Sequence, residues 1–530
     1  MSKWQQTVAL ERLVDRGQVV YKDKEGRHQL AIFRHNEQCF AVDNRCPHEG
    51  YPLSQGTVDD QCVLTCNWHN WKFTLAEGRN LYGGDGLRTY PVEVREGHVW
   101  VDLEDPPPHE IQATVLEGLR KAVADQDHGW IARELVRLHV AGLDPRVAVR
   151  QTLIECVERL EYGATHCLAA TADWLTFYGE LGAEGTIEDQ LICLTEAIDH
   201  MAYDSLREPL RPFPGPVEGA FDPALLVREI EDEDADAAIA RVRGALRQGV
   251  GYPLIAAALA RAALAHYTGF GHGLIYVVKA GELIDALGHQ AVAEPVLAAV
   301  TRYLAYASRE DLIPEFREYA SFLAKLPADF GQATAPPDAS HLVGASLSKV
   351  LGWVCEQAAS TSAAAIYESL LQALATNMLR FDTAHSFASQ VKVASNISWL
   401  GFTHGLTFAN ALRRQAGEAR ELWGPGLLQM GCFLARNRRF LGEPEGSWAV
   451  DDVASFFVDA RTQVLDHGFP EPIQACHRLK TTVAVREEIK YVGEDCRQAV
   501  LAALNRFLHS PAKQKHVRRN VHQAIALIAG

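Results

Sequence analysis

The chain has 530 residues, 48% hydrophobic and 22% charged, more than one hydrophobic core organises, so about two to four domains are expected. A formal net charge of −16 argues against proteins that hold nucleic acid through clustered Lys and Arg, and favours a basic docking partner. The most apolar window, residues 253–265, is short and carries Arg261, so no membrane span is expected. The opening Met1-Ser2-Lys3-Trp4-Gln5-Gln6 has no apolar leader, and a cytoplasmic protein is expected. Of the 11 cysteines only Cys46 and Cys66 have metal-ligand context; the others read as small buried hydrophobes in a reducing compartment.

From Thr7 to about Asp105, β-branched and aromatic runs at residues 17–21, 29–33, 39–42, 63–65 and 98–101 are bounded by Gly, Asn and Asp. They predict a small antiparallel β domain over residues 1–105. Pro106-Pro107-Pro108 can continue neither a ladder nor a helix interior, so residues 106–110 are expected to be a linker. Beyond it, Ala, Leu, Glu and Arg in helical period predict a large, mostly α-helical domain over residues 111–530. Its helices are expected over residues 111–125, 130–141, 147–172, 188–207, 235–247, 254–266, 273–286, 291–306, 341–355, 361–377 and 449–465. Proline-rich loops interrupt it at residues 208–216 and 331–338, and a subdivision is expected near residues 331–340.

Residues 46–73 carry the densest chemistry. Cys46-Pro47-His48 and Cys66-Asn67-Trp68-His69 supply two thiolates and two imidazoles. A [2Fe-2S] cluster can take the sulfurs on one iron and the neutral nitrogens on the other, which leaves it less negative and easier to reduce. A structural zinc uses the same residue types, but zinc sites usually group cysteine with cysteine and histidine with histidine, whereas each pair here holds one of each. Trp68 and Trp71 are expected to shield the cluster from water. On these motifs residues 1–105 resemble the Rieske domain of ferredoxins and ring-hydroxylating oxygenases. The resemblance implies that Cys46, His48, Cys66 and His69 are the ligands. Asn67 and Asn70 depart from it, standing where the family usually has Pro and Gly. The Asp-x-x-His-x4-His run that holds the catalytic iron of those oxygenases is begun by Asp382-Thr383-Ala384-His385 but has Gln390 in its last place.

An electron carrier invites an acceptor, and mononuclear or dinuclear non-haem iron is the usual one for O2 chemistry. Glu196, His200 and Asp204 recur every four residues and share a helix face. His166 shares another with Tyr162. His266 and His272 flank Tyr267-Thr268-Gly269-Phe270-Gly271, whose glycines can break a helix and let both rings converge. His385 and His404 stand among small and apolar residues. These are candidate iron ligands, weighed against a solvated stripe and core histidines bonded to carbonyls. Tyr267 and Tyr276 are candidate proton donors. Residues 269–287, 404–412 and 427–433 resemble the histidine-bearing helices of the questin-oxidase-like family, largely helical proteins whose named member opens a quinone ring by oxygenation. That resemblance carries over His272 and His404.

The expected function is an O2-dependent oxygenase or oxidase acting on a small organic substrate. No Gly-x-Gly-x-x-Gly nucleotide fingerprint is present, so electrons are expected from an NAD(P)H-linked ferredoxin reductase or a ferredoxin. The alternative is a non-catalytic electron-transfer or redox-sensing protein whose helices form a docking scaffold.

Overall fold

The computed structural model describes residues 3–528 apart from residues 25, 27, 183, 184, 206, 207 and 445. The chain forms two compact units, Met1–Pro145 and Arg146–Gly530.

The first unit begins with ten short strands: β1 (Trp4–Ala9), β2 (Gln18–Lys22), β3 (Gln29–His35), β4 (Gln38–Asp43), β5 (Thr57–Val58), β6 (Val63–Thr65), β7 (Lys72–Thr74), β8 (Thr89–Tyr90), β9 (Val92–Arg95) and β10 (His98–Asp102). They pair antiparallel in three sheets, ordered β1-β10-β9, β2-β3-β4-β8 and β5-β6-β7. The strand periodicity of two sorts β3 between two cores. Leu30 and Ile32 join Leu13, Val99 and Val101, while Ala31 and Phe33 join Leu64, Phe73, Cys46 and Cys66. A strand buried on both faces reads as one continuous apolar run, and the second core is what takes the two thiols out of water. A short helix, Leu10–Arg16, was not expected; it buries Leu13 and is ended by Gly17 at φ 72°.

The proline run lies where predicted, with Pro107 and Pro108 opening the helix Pro108–Asp125. The compact unit nevertheless continues past the expected linker, because this helix and the next, His128–Val140, stay with the strands. Buried Asp85 accepts from Arg137 at 2.9 Å and from Arg133, which ties the second helix to the β region.

The second unit is helical throughout. The helix expected over residues 147–172 is two helices, Arg146–Val157 and His166–Leu181, with a break that places His166 at a helix start. Gly163 makes the break possible. It has φ 84°, and a Cβ there would lie 2.3 Å from the Ala299 carbonyl oxygen. The loop at residues 331–338 does not divide this unit. Gly331 and Ala333 donate backbone bonds to Ala358 and Ser360, each at 3.0 Å, which zips the loop onto the neighbouring helix turn. Four helices, His166–Leu181, His272–Leu287, Leu400–Glu418 and Pro472–Glu488, close a ring in which each packs on the next and the last on the first. Among the described residues no helix is long and apolar enough to cross a membrane.

Candidate metal centres

Residues 46–51 and 66–71 fold into the same loop twice. Cys46 N–H donates to Tyr51 at 2.9 Å and Gly50 N–H returns to the Cys46 carbonyl at 2.7 Å; Cys66 N–H donates to Trp71 at 2.8 Å and Asn70 N–H returns to the Cys66 carbonyl at 2.9 Å. The fifth residue of each loop is left-handed, Gly50 at φ 77° and Asn70 at φ 62°. The duplication brings His48 Nδ1 and His69 Nδ1 to 3.1 Å and leaves Cys46 and Cys66 buried side by side. Burial pushes the Cys46 thiol up to about 11, although the backbone N–H groups of His48 and Glu49 favour its thiolate. Two buried thiols and two converging imidazole nitrogens, with amide donors aimed at sulfur, fit a [2Fe-2S] cluster with mixed ligands.

A family profile described as the Rieske [2Fe-2S] domain matches residues 3–86. The chain is 33% identical over 78 residues to the 3-phenylpropionate/cinnamic acid dioxygenase ferredoxin subunit of Photorhabdus laumondii, covering 14% of this chain and 74% of that protein. By its N-terminal domain the chain belongs to the Rieske [2Fe-2S] family. The alkene monooxygenase ferredoxin component of Xanthobacter autotrophicus is 30% identical over 83 residues, covering 16% of this chain and 68% of that protein. Among solved structures, a complex of the oxygenase and ferredoxin of carbazole 1,9a-dioxygenase aligns with 27% identity and a TM-score of 0.18, covering 20% of this chain and 96% of that one.

The Rieske domain accommodates both departures from the family pattern. Asn67 Nδ2 donates to the Gln55 carbonyl and to Thr57 Oγ1, each at 3.0 Å, which pins the second loop to β5. Asn70 supplies the left-handed turn that glycine usually makes. Trp71 stacks on His48 with ring centroids 4.8 Å apart. Trp68, expected to shield the cluster, is instead 61% exposed, with the rings of Tyr51 and His69 beside it.

The helical unit gathers a second set of ligand atoms inside its ring of four helices. His166 Nε2 lies 3.1 Å from His272 Nε2, which lies 2.8 Å from His404 Nε2, which lies 3.4 Å from His477 Nε2. Three of the four rings are already committed on their other side. His477 Nδ1 bonds the Ile473 carbonyl at 2.8 Å, His404 Nδ1 bonds the Leu400 carbonyl, and His272 is bonded to the Gly269 backbone. A carbonyl can only accept, so these Nδ1 atoms carry the protons and their Nε2 atoms present lone pairs. Burial, with Lys480 adding to it, holds His272 down to about 3; His166, His404 and His477 are likewise held well below the usual range, mainly by burial. The neutral rings of His404 and His477 turn their lone pairs toward each other, and such a pair repels until a cation sits between them. Ligand nitrogens about 2.1 Å from one metal stand about 3.0 Å apart at right angles and about 3.4 Å apart at tetrahedral angles, and the observed spacings bracket these values.

His272 is seated by a strained turn. Gly269, Phe270 and Gly271 all have positive φ, at 46°, 54° and 70°, and a Cβ on Gly271 would lie 2.6 Å from the Phe408 ring. The same turn carries His266 away from the centre, where Asp311 and Glu231 bracket it at 2.8 and 2.7 Å. Asp204 and His200, expected as ligands, stand behind His166. Asp204 accepts from the Cys167 backbone at 3.1 Å and from Thr165 Oγ1, which caps the helix that His166 begins, and His200 Nε2 lies 3.7 Å from it. Glu196 pairs with His467 at 3.0 Å, and His385 lies against Asp382 and Phe440. Tyr276 stacks beside His272 with centroids 5.5 Å apart, whereas Tyr267 is buried under Arg436, which donates to its hydroxyl at 3.1 Å. Sequence reasoning missed His477. A lone histidine in Cys476-His477-Arg478-Leu479-Lys480 carries no short-range ligand spacing.

Proposed function

We propose that the protein is an O2-dependent oxidoreductase in which the Rieske cluster, held by Cys46, His48, Cys66 and His69, passes electrons singly to one non-haem iron bound by His166, His272, His404 and His477. The observation that carries the reading is the convergence of four Nε2 atoms, three of them on rings that are hydrogen-bonded on their other side to the backbone. One nitrogen each from His166, His404 and His477 lie within 4.8 Å of one another, with His272 beside the first two, which suits one divalent ion and favours a mononuclear centre over a dinuclear one. Bound iron supplies one-electron exchange with O2.

The chain's own residues supply the rest. The carbonyls of Leu400 and Ile473 hold the rings in one orientation, and Asp204 fixes the helix start that carries His166. His404 and His477 are buried, while His166, His272, Phe270 and Tyr303 are partly exposed, and this edge is the approach for O2 and a small organic substrate. Burial raises the Tyr276 phenol well above its ordinary range, so it stays protonated beside His272 and would serve there as a proton donor. The resemblance to questin-oxidase-like helices at residues 269–287 and 404–412 favours a quinone or phenol as substrate. Electrons enter from an NAD(P)H-linked reductase or a ferredoxin.

Iron and acid-labile sulfide per chain test the reading. The wild type is expected to hold about three iron and about two sulfide, and His272→Ala or His404→Ala about two of each. About two iron in every sample would overturn the two-centre mechanism and leave an electron carrier or sensor.

A further inference from the structure

Followed up the ring of helices, each histidine is succeeded by a second interior position. Asp173 comes seven residues after His166 and Lys279 seven after His272; Asn410 comes six after His404 and Lys480 three after His477. Seven residues is two helical turns, about 10 Å along the axis, so a charged layer is stacked on the histidine layer with Lys480 between them. The layer is buried: Asp173 is wholly enclosed and Lys279 and Lys480 nearly so.

Its members form a chain with one end toward solvent. Lys279 Nζ donates to Asp173 Oδ1 at 2.7 Å and to Glu282 Oε2 at 2.9 Å. Glu282 pairs in turn with Arg414, whose side chain is one-third exposed. Asp173 Oδ2 is buried with no hydrogen-bond partner among the described residues. Lys279, Lys480, Thr407 and Asn410 line a cavity with room for about one water molecule. Asp173 and Lys480 attract one another, and the charge of Lys480 reaches all four histidines. Buried charges of this kind are costly, and apolar residues of the same volume would hold four helices together at least as well. A cluster of polar groups that leads from the surface to a metal site has a different use.

We infer that Glu282, Lys279, Asp173 and Lys480 form a proton-delivery path from the Arg414 surface to the four-histidine centre. The inference rests on the oxygen-reducing function proposed above. Insertion of one oxygen atom into a substrate consumes O2, two electrons and two protons and releases one water. The electrons come through the Rieske cluster from its reductase, and the second oxygen atom takes both protons to leave as water. Without substrate, one electron from the reduced cluster, one from ferrous iron and two protons convert O2 to hydrogen peroxide. One proton would enter for each that leaves, and every member would end as it began: Lys480 would give a proton toward the oxygen being reduced and regain one through the cavity water from Lys279, which would be refilled by a proton entering at Glu282. Burial pulls Lys480 below the ordinary lysine range, in keeping with the group that gives up its proton, whereas the charges of Asp173 and Glu282 outweigh burial and hold Lys279 above that range, so refilling from Lys279 is the slow step of the path.

The test uses the full chain loaded with iron, reduced with dithionite and mixed with O2 in H2O and in D2O, with cluster reoxidation followed by visible absorbance and peroxide assayed. Asp173→Asn, Lys480→Met and Glu282→Gln are expected to retain wild-type iron and sulfide, to slow reoxidation tenfold or more, and to raise the solvent isotope effect; Glu282→Asp is expected to recover most of the rate. Glu282 lies nearest the surface, so its variants report even if the buried ones do not fold. Wild-type rates in iron-replete Glu282→Gln and in whichever of the other two folds would overturn the path. If His404→Ala, lacking the third iron, reoxidises as fast as the wild type, the centre receives no electrons from the cluster, and the functional reading falls together with the path.

Discussion

His404 Nε2 stands 2.8 Å from His272 Nε2 while His404 Nδ1 is engaged with the Leu400 carbonyl one turn back. Two neutral rings so disposed share no proton, and the contact is unfavourable until a cation occupies it. Metal removal is therefore expected to loosen the helical unit. A metal present at 100 times its dissociation constant stabilises a fold by about 2.7 kcal/mol. Calorimetry should show a chelator lowering the melting temperature of the wild type and leaving His404→Ala unmoved; a wild type indifferent to chelator would contradict a metal at this point.

Asp204 holds the start of the His166 helix through the Cys167 backbone and the Thr165 hydroxyl. Asp204→Ala is expected to cost about 1 kcal/mol, as loss of a helix cap does, and to weaken metal binding by about 10- to 100-fold. Urea unfolding and metal titration read the two effects separately. Unchanged affinity would mean that His166 needs no support from behind.

Asn70 sits at φ 62° in the second cluster loop, matching Gly50 in the first. Asn70→Gly is expected to leave cluster content unchanged. Asn70→Val forces a β-branched residue into the left-handed region at about 1–2 kcal/mol and should reduce cluster absorbance per chain. Equal absorbance in both variants would show that the loop adjusts without this turn.

Glu487 titrates below the ordinary carboxylate range. Burial pushes its carboxyl up, but hydrogen bonds from Asn410 and Arg413 and the charges of Arg413 and Arg414 outweigh burial. A carboxylate depressed in the folded state binds protons less readily there than in the unfolded chain. Its stabilisation is complete above the unfolded value, about 4.3, and is lost as pH falls through the folded value. Glu487→Gln should therefore flatten the fall of unfolding free energy below about pH 4.5, and an unaltered slope there would refute the assignment.

Local sequence carried the β domain, the helical character of the remainder and the cluster loops, because strand alternation, helical period and Cys-x-His spacing are short-range patterns. The compact unit runs further than the expected β domain, to Pro145. Prolines mark where a strand region ends, but the ion pairs of Asp85 with Arg133 and Arg137 join residues far apart in the chain and keep two further helices with it. Local sequence also ran one helix through residues 158–165, since the need for Gly163 arises only when Ala299 packs against it.

The second centre divides in the same way. Sequence alone supplied His166, His272 and His404 as candidate ligands, together with a face of Glu196, His200 and Asp204 at regular helical spacing. Only the tertiary structure sends His266 to Asp311 and Glu231, turns Asp204 into a cap, and adds His477. Neighbouring pairs in the centre are 106, 132 and 73 residues apart. Ligands on one helix leave a periodic trace; ligands brought one from each of four helices leave none, and the closing of the ring decides which nitrogens meet.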